Sequence, residues 1–366
     1  MLDIQTVLIE PAATKSIAPY LKENNYRRVS IVADANTYEV IGRALEDSAQ
    51  ASGINVQVTL IKPDKQGDVI ADEASVVQLL LDLKLHSAEI VIAAGSGTLH
   101  DIARFSAFTV GIPFVSVPTA PSVDGFNSVG APLIIRGDKQ TILAIGPSAI
   151  FADLDILTKA PDSMIAAGFG DMLGKYTSLF DWKFGTLAGG EPYSEAVAER
   201  TRRALLQCVD NSNEIAKRTP LGIEILMRAL IESGFAMLQF GQSHPASGAE
   251  HHLSHYWEME FIRTGRRQIL HGAKVGVACA QISSLYHRLS IDSPDLFPPM
   301  HRQAIIDEIE RIPDEYTIKE LLRKVGGPAT TEELGIGEEL LERSLREADR
   351  IRPNRQTLLK RYNEMN

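Results

Sequence analysis

Up to about residue 160, this chain alternates short runs rich in valine and isoleucine with amphipathic stretches; beyond that point the runs stop. The strand-like runs are residues 28–34 (RVSIVAD), 54–61 (INVQVTLI), 89–94 (EIVIAA) and 113–118 (PFVSVP). Their β-branched content, short length and Gly, Pro, Asp or Ser boundaries are those of buried strands. Helical patterns fill the gaps at 41–52, 72–85 and 98–110. Strands separated by helices predict a parallel sheet covered on its faces by those helices. Such sheets bind ligands at the carboxyl ends of their strands.

From about Ala160 onward, longer helical periods take over, at 195–218, 221–239, 249–262, 272–289, 300–311, 317–325, 330–351 and 355–363. The expected fold class is therefore α/β: a Rossmann-like parallel-sheet domain over 1–160, followed by an all-helical domain over 161–366. Two domains also suit the length of 366 residues, since domains run at roughly 100–200 residues.

Composition narrows the function. A net charge of -10 argues against nucleic-acid partners, which need a basic surface. No apolar run approaches the roughly 18 residues that span a bilayer, so no membrane insertion is expected. The opening MLDIQTVLIEPAATK lacks a basic region followed by an apolar one, so no signal peptide is expected. Two cysteines, Cys208 and Cys279, lie in apolar surroundings without a CxxC pair. Buried reduced thiols and a cytoplasmic location follow as the expectation.

Two loops carry candidate ligand chemistry. In EIVIAAGSGTLHD a strand runs straight into Gly95-Ser96-Gly97, and a helix follows. Glycines there let backbone N–H groups approach a diphosphate at the positive end of the helix. The same pattern also describes a simple strand-to-helix turn. The next strand leads into 118–128 (PTAPSVDGFNS), dense in hydroxyls and holding Asp124. Asp34, closing an earlier strand, either binds ribose hydroxyls or caps a helix.

Five of the nine histidines fall between His244 and His271. His251 and His255 are four residues apart in a helical segment and share a face, whereas His252 points elsewhere. His271 stands at the start of another helical stretch. Asp171 sits in a Gly-rich, apolar setting (GFGD), four residues before Lys175. A buried carboxylate needs compensation, from either a divalent cation or that lysine. Three protein ligands with open positions form the catalytic rather than the structural pattern. An O/N/N donor set suits Zn2+ or Ni2+.

Taken in order, the nucleotide loop, GFGD, SGAEH and LHG resemble the dehydroquinate synthase-like, iron-type alcohol dehydrogenase superfamily, and most closely the bacterial branch of its glycerol-1-phosphate dehydrogenases. The most specific segments are VPTAPSVDGFNS, GFGDMLGKYTSLFDWK and SHPASGAEHHLSHYWEM, and the likeness runs from about Ile31 to Gly276. The resemblance implies a metal-dependent enzyme that reduces dihydroxyacetone phosphate to sn-glycerol 1-phosphate, a small phosphorylated triose substrate, and a homodimer. It assigns one divalent metal to Asp171, His251 and His271. It assigns NAD or NADP to Gly95, Ser96, Gly97, Thr98 and Leu99, to Thr119, Ala120, Pro121 and Ser122, and to Ser128, with Asp34 on the ribose. It places Asp124, Asp171 and His255 at the substrate, and makes Asp171, His251, His255 and His271 the catalytic set. One departure is Ser96, where many members carry a further glycine.

Arg263, Arg266, Arg267 and Lys175 are the candidate partners of the substrate phosphate; for the arginines a solvated basic loop is the alternative. Three rival functions stand beside this reading. They are a polyol dehydrogenase acting on unphosphorylated glycerol, a dehydroquinate synthase-like carbon–oxygen lyase, and a non-catalytic nucleotide-sensing module.

Overall fold

The computed structural model describes residue 4 and residues 6–365. The stretch examined above for a leader lies partly outside the described residues and enters the first strand at Thr6. The described residues form eight strands: β1 (Thr6–Glu10), β2 (Arg28–Ala33), β3 (Asn55–Leu60), β4 (Ile90–Gly95), β5 (Phe114–Pro118), β6 (Gly130–Ile135), β7 (Asp138–Leu143) and β8 (Ala149–Asp153). Six of them form one all-parallel sheet in the order β1-β8-β5-β4-β2-β3. The central strands β4, β5 and β8 are buried along their whole length. That burial is why their sequences read as unbroken apolar runs.

The strand period sorts these side chains onto two faces. Ile90, Ile92 and Ala94 join one apolar cluster with Val29, Ile31 and Phe151. Val91 and Ala93 join another with Val32, Leu79, Ile102 and Phe114. The first cluster takes Leu45 from the helix Arg43–Ala51. The second takes Leu79 and Ile102 from the helices Glu73–His86 and Gly97–Val110.

Four of the strands lie where the sequence places them, while β1, β8 and the β6–β7 hairpin are additions. β1 is a five-residue edge strand, and β8 (AIFAD) runs directly into a short helix, so neither has its own punctuation. The hairpin turns on Arg136-Gly137, with φ of 56° and 84°. Two left-handed residues suit a tight hairpin, but Arg-Gly is not the usual Asn-Gly signal.

The chain divides into two compact units. The sheet unit runs up to Pro161 and also takes Arg218–Leu238, a stretch the sequence reading gives to the helical half. Side-chain chemistry accounts for this. Asn127 Nδ2 donates to the Ile231 carbonyl at 3.0 Å, and Ser233 Oγ donates to Asp124 Oδ2 at 2.7 Å. Gly234 lies directly under the Asn127 amide.

The second unit comprises Asp162–Lys217 and the chain from Gln239 onward, and is helical. Two of its helices, Asp162–Leu173 and Lys175–Gly189, are absent from the sequence reading. The first is buried without a break from Ile165 to Leu173, so it shows no amphipathic stripe. The stretch 330–351, expected as one helix, breaks at Gly335, where φ is +67°, and resumes as Glu338–Glu347. The stretch 355–363 starts late, as Leu358–Met365.

Candidate metal and nucleotide sites

The helices Asp162–Leu173 and His271–Asp292 cross at glycines. A Cβ on Gly170 would stand 2.5 Å from the Gly272 carbonyl oxygen, and one on Gly276 would stand 3.0 Å from Gly170 Cα. A Cβ on Gly272 would overlap the Ala167 carbonyl. This close approach brings Asp171, next to Gly170, against His271, next to Gly272. The helix Ala249–Arg263 supplies His251 from its first turn.

The ligand atoms of Asp171, His251 and His271 all lie within 4.8 Å of one another. His251 Nε2 is 3.7 Å from Asp171 Oδ1, and the His251 and His271 ring centroids are 5.2 Å apart. Zinc-type bonds of about 2.0–2.2 Å put tetrahedral donors about 3.4 Å apart, so a small divalent cation fits among these atoms. His251 Nδ1 donates to Glu250 Oε1 at 2.7 Å, which leaves Nε2 as the lone-pair nitrogen facing the Asp171 carboxylate. Two acceptors facing each other call for a cation between them, and the carboxylate behind the imidazole is the usual support of a metal-bound histidine. Glu250 is itself held by Gly248 N–H at 2.7 Å and Thr177 Oγ1 at 2.7 Å.

Lys175 Nζ sits 3.2 Å from Asp171 Oδ1 and also donates to the Ala246 carbonyl. Both residues of this pair are fully buried. The lysine and the cluster of candidate cation ligands thus both stand at Asp171, where the sequence leaves lysine and cation as alternatives. His255 shares the face of His251, with its ring 5.7 Å from that of His271. His252 points away, as the helical spacing requires; it is fully buried and neither ring nitrogen has a hydrogen-bond partner. Glu250 and Thr177 were not singled out from sequence. The available signal for Glu250 was its place beside His251 in the first turn of the helix.

In the sheet unit, β4 and β5 are neighbours, so Gly95–Leu99 and Thr119–Ser122 emerge side by side. The Thr119 N–H donates to the Gly95 carbonyl at 2.9 Å. A Cβ on Gly97 would meet Val123 Cγ2 at 2.8 Å, and one on Gly95 would overlap the Leu99 side chain, so a larger residue at either position would have to displace a neighbouring side chain. Ser96 is the N-cap of the helix Gly97–Val110 but makes no side-chain cap bond. The first-turn N–H groups of that helix thus remain available for an anion.

Thr119, Ala120, Pro121, Ser122, Asp124 and Ser128 are all buried. Ser128 Oγ donates to the Gly125 carbonyl, and Arg104, fully buried, clamps the loop by donating to the carbonyls of Gly125, Phe126 and Gly130. Asp34 caps the short helix that follows β2, accepting the Thr37 N–H at 2.8 Å in a capping box. It lies at the end of β2, which pairs with β4.

Of the arginines proposed for phosphate, Arg263 forks onto Glu260, while Arg266 stacks on Phe261 and donates to the Gly335 carbonyl. Those contacts turn both side chains toward their own helix end and the 335 turn.

His100 supports the glycine turn from behind. Its ring bonds Ser96 O at 2.9 Å and Ser116 Oγ at 2.7 Å, and burial pushes its pKa down to about 4. The ring is neutral when folded but protonates near pH 6.5 when unfolded. Stability should therefore be lost as pH falls from 6.5 toward 4, by up to roughly 3 kcal/mol from this group. Urea melts of wild type and His100→Gln across that range check this; equal slopes would contradict it.

The iron-containing alcohol dehydrogenase family matches residues 8–161. A protein of Geobacillus stearothermophilus named glycerol-1-phosphate dehydrogenase [NAD(P)+] is 48% identical, over 100% of this chain and 93% of its own length. One of the same name from Bacillus subtilis is 43% identical, over 99% of this chain and 92% of its own. Among solved structures, glycerol dehydrogenase from Schizosaccharomyces pombe superposes with a TM-score of 0.70 at 19% identity, covering 96% of this chain and 83% of its own, a likeness of fold. Sequence identity at this level over nearly the whole length shows that the chain belongs to the glycerol-1-phosphate dehydrogenase [NAD(P)+] family.

Proposed function

We propose that this chain reduces dihydroxyacetone phosphate to sn-glycerol 1-phosphate, reversibly, with NAD(P)H as hydride donor and one divalent metal held by Asp171, His251 and His271. The observation that carries this is the convergence of those three side chains, with Glu250 behind His251, in a chain whose full-length relatives bear that enzyme's name. When bound, the metal supplies Lewis-acid polarisation of the ketone oxygen and the nicotinamide supplies the hydride.

The chain's own residues do the rest. Glu250 fixes the His251 tautomer. Lys175 holds the Asp171 carboxylate in place. Burial around the triad excludes water, so charge developing on the ketone oxygen is not screened. A proton reaches the nascent alkoxide through bound water or a substrate hydroxyl, with His255 or Asp124 as the relay to solvent. Asp124, held by Ser233, accepts a hydrogen bond from a substrate hydroxyl. Gly95–Leu99, Thr119–Ser122 and Ser128 bind the dinucleotide, and Asp34 its ribose. A carboxylate at Asp34 repels a 2′-phosphate, which favours NAD over NADP.

The same reading includes a homodimer in the cytoplasm. Among the described residues no helix is long and apolar enough to cross a membrane, and light scattering tests the dimer. Steady-state rates with glycerol 1-phosphate, glycerol 3-phosphate and glycerol test the substrate. Preference for glycerol 1-phosphate is expected; preference for free glycerol would move the chain to the polyol dehydrogenases.

Glu250→Gln should weaken metal affinity about 10- to 100-fold while Zn2+ and Ni2+ still bind one per chain. Competition with a chromophoric chelator measures it, and an unchanged affinity would remove Glu250 from this role.

A further inference from the structure

The segment GFGDMLGKYTSLFDWK carries a second aspartate that the roles above leave unused. Asp181 stands on the helix Lys175–Gly189 and is fully buried. Its carboxylate takes donors from three other helices. Oδ2 accepts the Ala249 N–H at 2.8 Å. Oδ1 accepts the Tyr286 hydroxyl at 2.8 Å and the Leu358 N–H at 3.0 Å. The Leu359 N–H donates to the Tyr286 oxygen at 3.3 Å, which leaves that hydroxyl's proton for Asp181.

Two of those helices carry metal ligands. Ala249 opens the helix Ala249–Arg263, next to Glu250 and two residues before His251. Tyr286 belongs to the helix His271–Asp292, which opens on the other histidine of the triad. Leu358 opens the last helix, Leu358–Met365. Thr177, Ser178 and Asp181 are spaced to share one face of their own helix. Thr177 holds Glu250, while Ser178 and Asp181 lie under Gly248. A Cβ on Gly248 would stand 2.7 Å from Asp181 Oδ2 and 2.9 Å from Ser178 Cα. The missing side chain lets the first turn of the His251 helix seat directly on the carboxylate.

A carboxylate in this position is costly. Burial, and then the charge of Glu250, push it up to about 7 against the pull of its three donors. Arg355, also buried, supplies counter-charge felt by both Asp181 and Glu250. Apolar side chains of similar volume commonly serve stability as well as buried charges do. What the carboxylate adds is direction, because three donors aimed at one group fix where their helices meet.

We propose that Asp181 is a positioning residue of the metal centre: it pins the first turn of the His251 helix to the His271 helix and to the last helix, and so sets how tightly the metal is held. This rests on the reading of Asp171, His251 and His271 as a metal site. It also gives the C-terminal tail, through Leu358 and Arg355, a part in that site.

The test is chelator competition with Zn2+ on the full-length protein. Asp181→Asn keeps the volume but turns an N–H group toward at least one of the donors. Its metal affinity should fall about 3- to 10-fold, less than for loss of a group bonded directly to a ligand. The double variant Asp181→Asn/Glu250→Gln should lose less than the product of the two single losses, because both act through His251. Ser344→Ala is the control. Ser344 Oγ accepts from Trp257 Nε1 at 3.0 Å further along the His251 helix, so its loss should lower stability and leave metal affinity unchanged. If Asp181→Asn does not fold, Tyr286→Phe, which removes one hydroxyl, should still lower metal affinity about 3-fold. Unchanged metal affinity in folded Asp181→Asn, or in Tyr286→Phe in its place, would overturn the role while leaving the metal centre standing. An equal loss of affinity in Ser344→Ala, or losses that multiply in full in the double variant, would also overturn it. A wild type that holds no Zn2+ at these ligands would overturn the metal reading, and this role with it.

Discussion

Replacing His251 by alanine is expected to lower turnover of dihydroxyacetone phosphate by about 1,000-fold or more and to strip the protein of tightly held metal. His251 Nε2 faces Asp171 Oδ1 at 3.7 Å, so its loss would leave two of the three proposed ligands. The polarisation lost with the metal is worth several kcal/mol of transition-state stabilisation. At 1.36 kcal/mol per factor of ten, that is about three orders of magnitude. The fold should survive, because His251 makes its side-chain bond to Glu250 at the edge of the buried cluster, not as part of the apolar core. Metal analysis of the purified variant, alongside circular dichroism and initial rates, separates loss of metal from loss of fold. Full activity in a folded His251→Ala would remove the histidine from the centre.

The second large effect is on stability. Gly272→Ala puts a methyl group onto the Ala167 carbonyl at a crossing of two helices, where backbone faces backbone. Overpacking of flexible side chains costs about 1–3 kcal/mol, and rigid main chain gives way less, so about 3 kcal/mol or more is expected here. Relief requires the helices Asp162–Leu173 and His271–Asp292 to separate, which moves Asp171 away from His271. Stability and metal affinity should therefore fall together. Guanidinium melts and chelator competition on Gly272→Ala measure both. A loss of stability with unchanged metal affinity would mean the crossing does not set the ligand spacing.

The sheet was legible wherever buried strands end in clear breakers. β2, β3, β4 and β5 announce themselves as valine–isoleucine runs closed by turn residues, and the neighbouring positions of the two loops follow from β4 pairing with β5. β1 and β8 were not legible, because an edge strand and an alanine-containing strand that flows into a helix carry neither period nor punctuation. The all-round burial of Ile165–Leu173 hid a helix for a related reason: a helix with no solvent face has no stripe.

The metal candidates were legible by residue type, since a buried Asp and a histidine pair at helical spacing are costly without purpose. Their convergence was not, because it depends on a glycine-to-glycine approach between helices about 100 residues apart. Glu250 carried only the signal of its place beside His251; its bond to the other nitrogen of that histidine needed the structure. Arg355 was passed over because the tail reads as charged and broken by Gly and Pro, and charge there looks like solvated surface until burial is known.

The proposed single-metal ketone reduction at Asp171, His251 and His271 is checked by stripping wild-type protein with a chelator and titrating Zn2+ or Ni2+ back while following NADH oxidation with dihydroxyacetone phosphate. No turnover is expected in the stripped protein, with recovery that saturates at one metal per chain. Turnover that persists after complete metal removal, or recovery that needs no ion at this site, would contradict it.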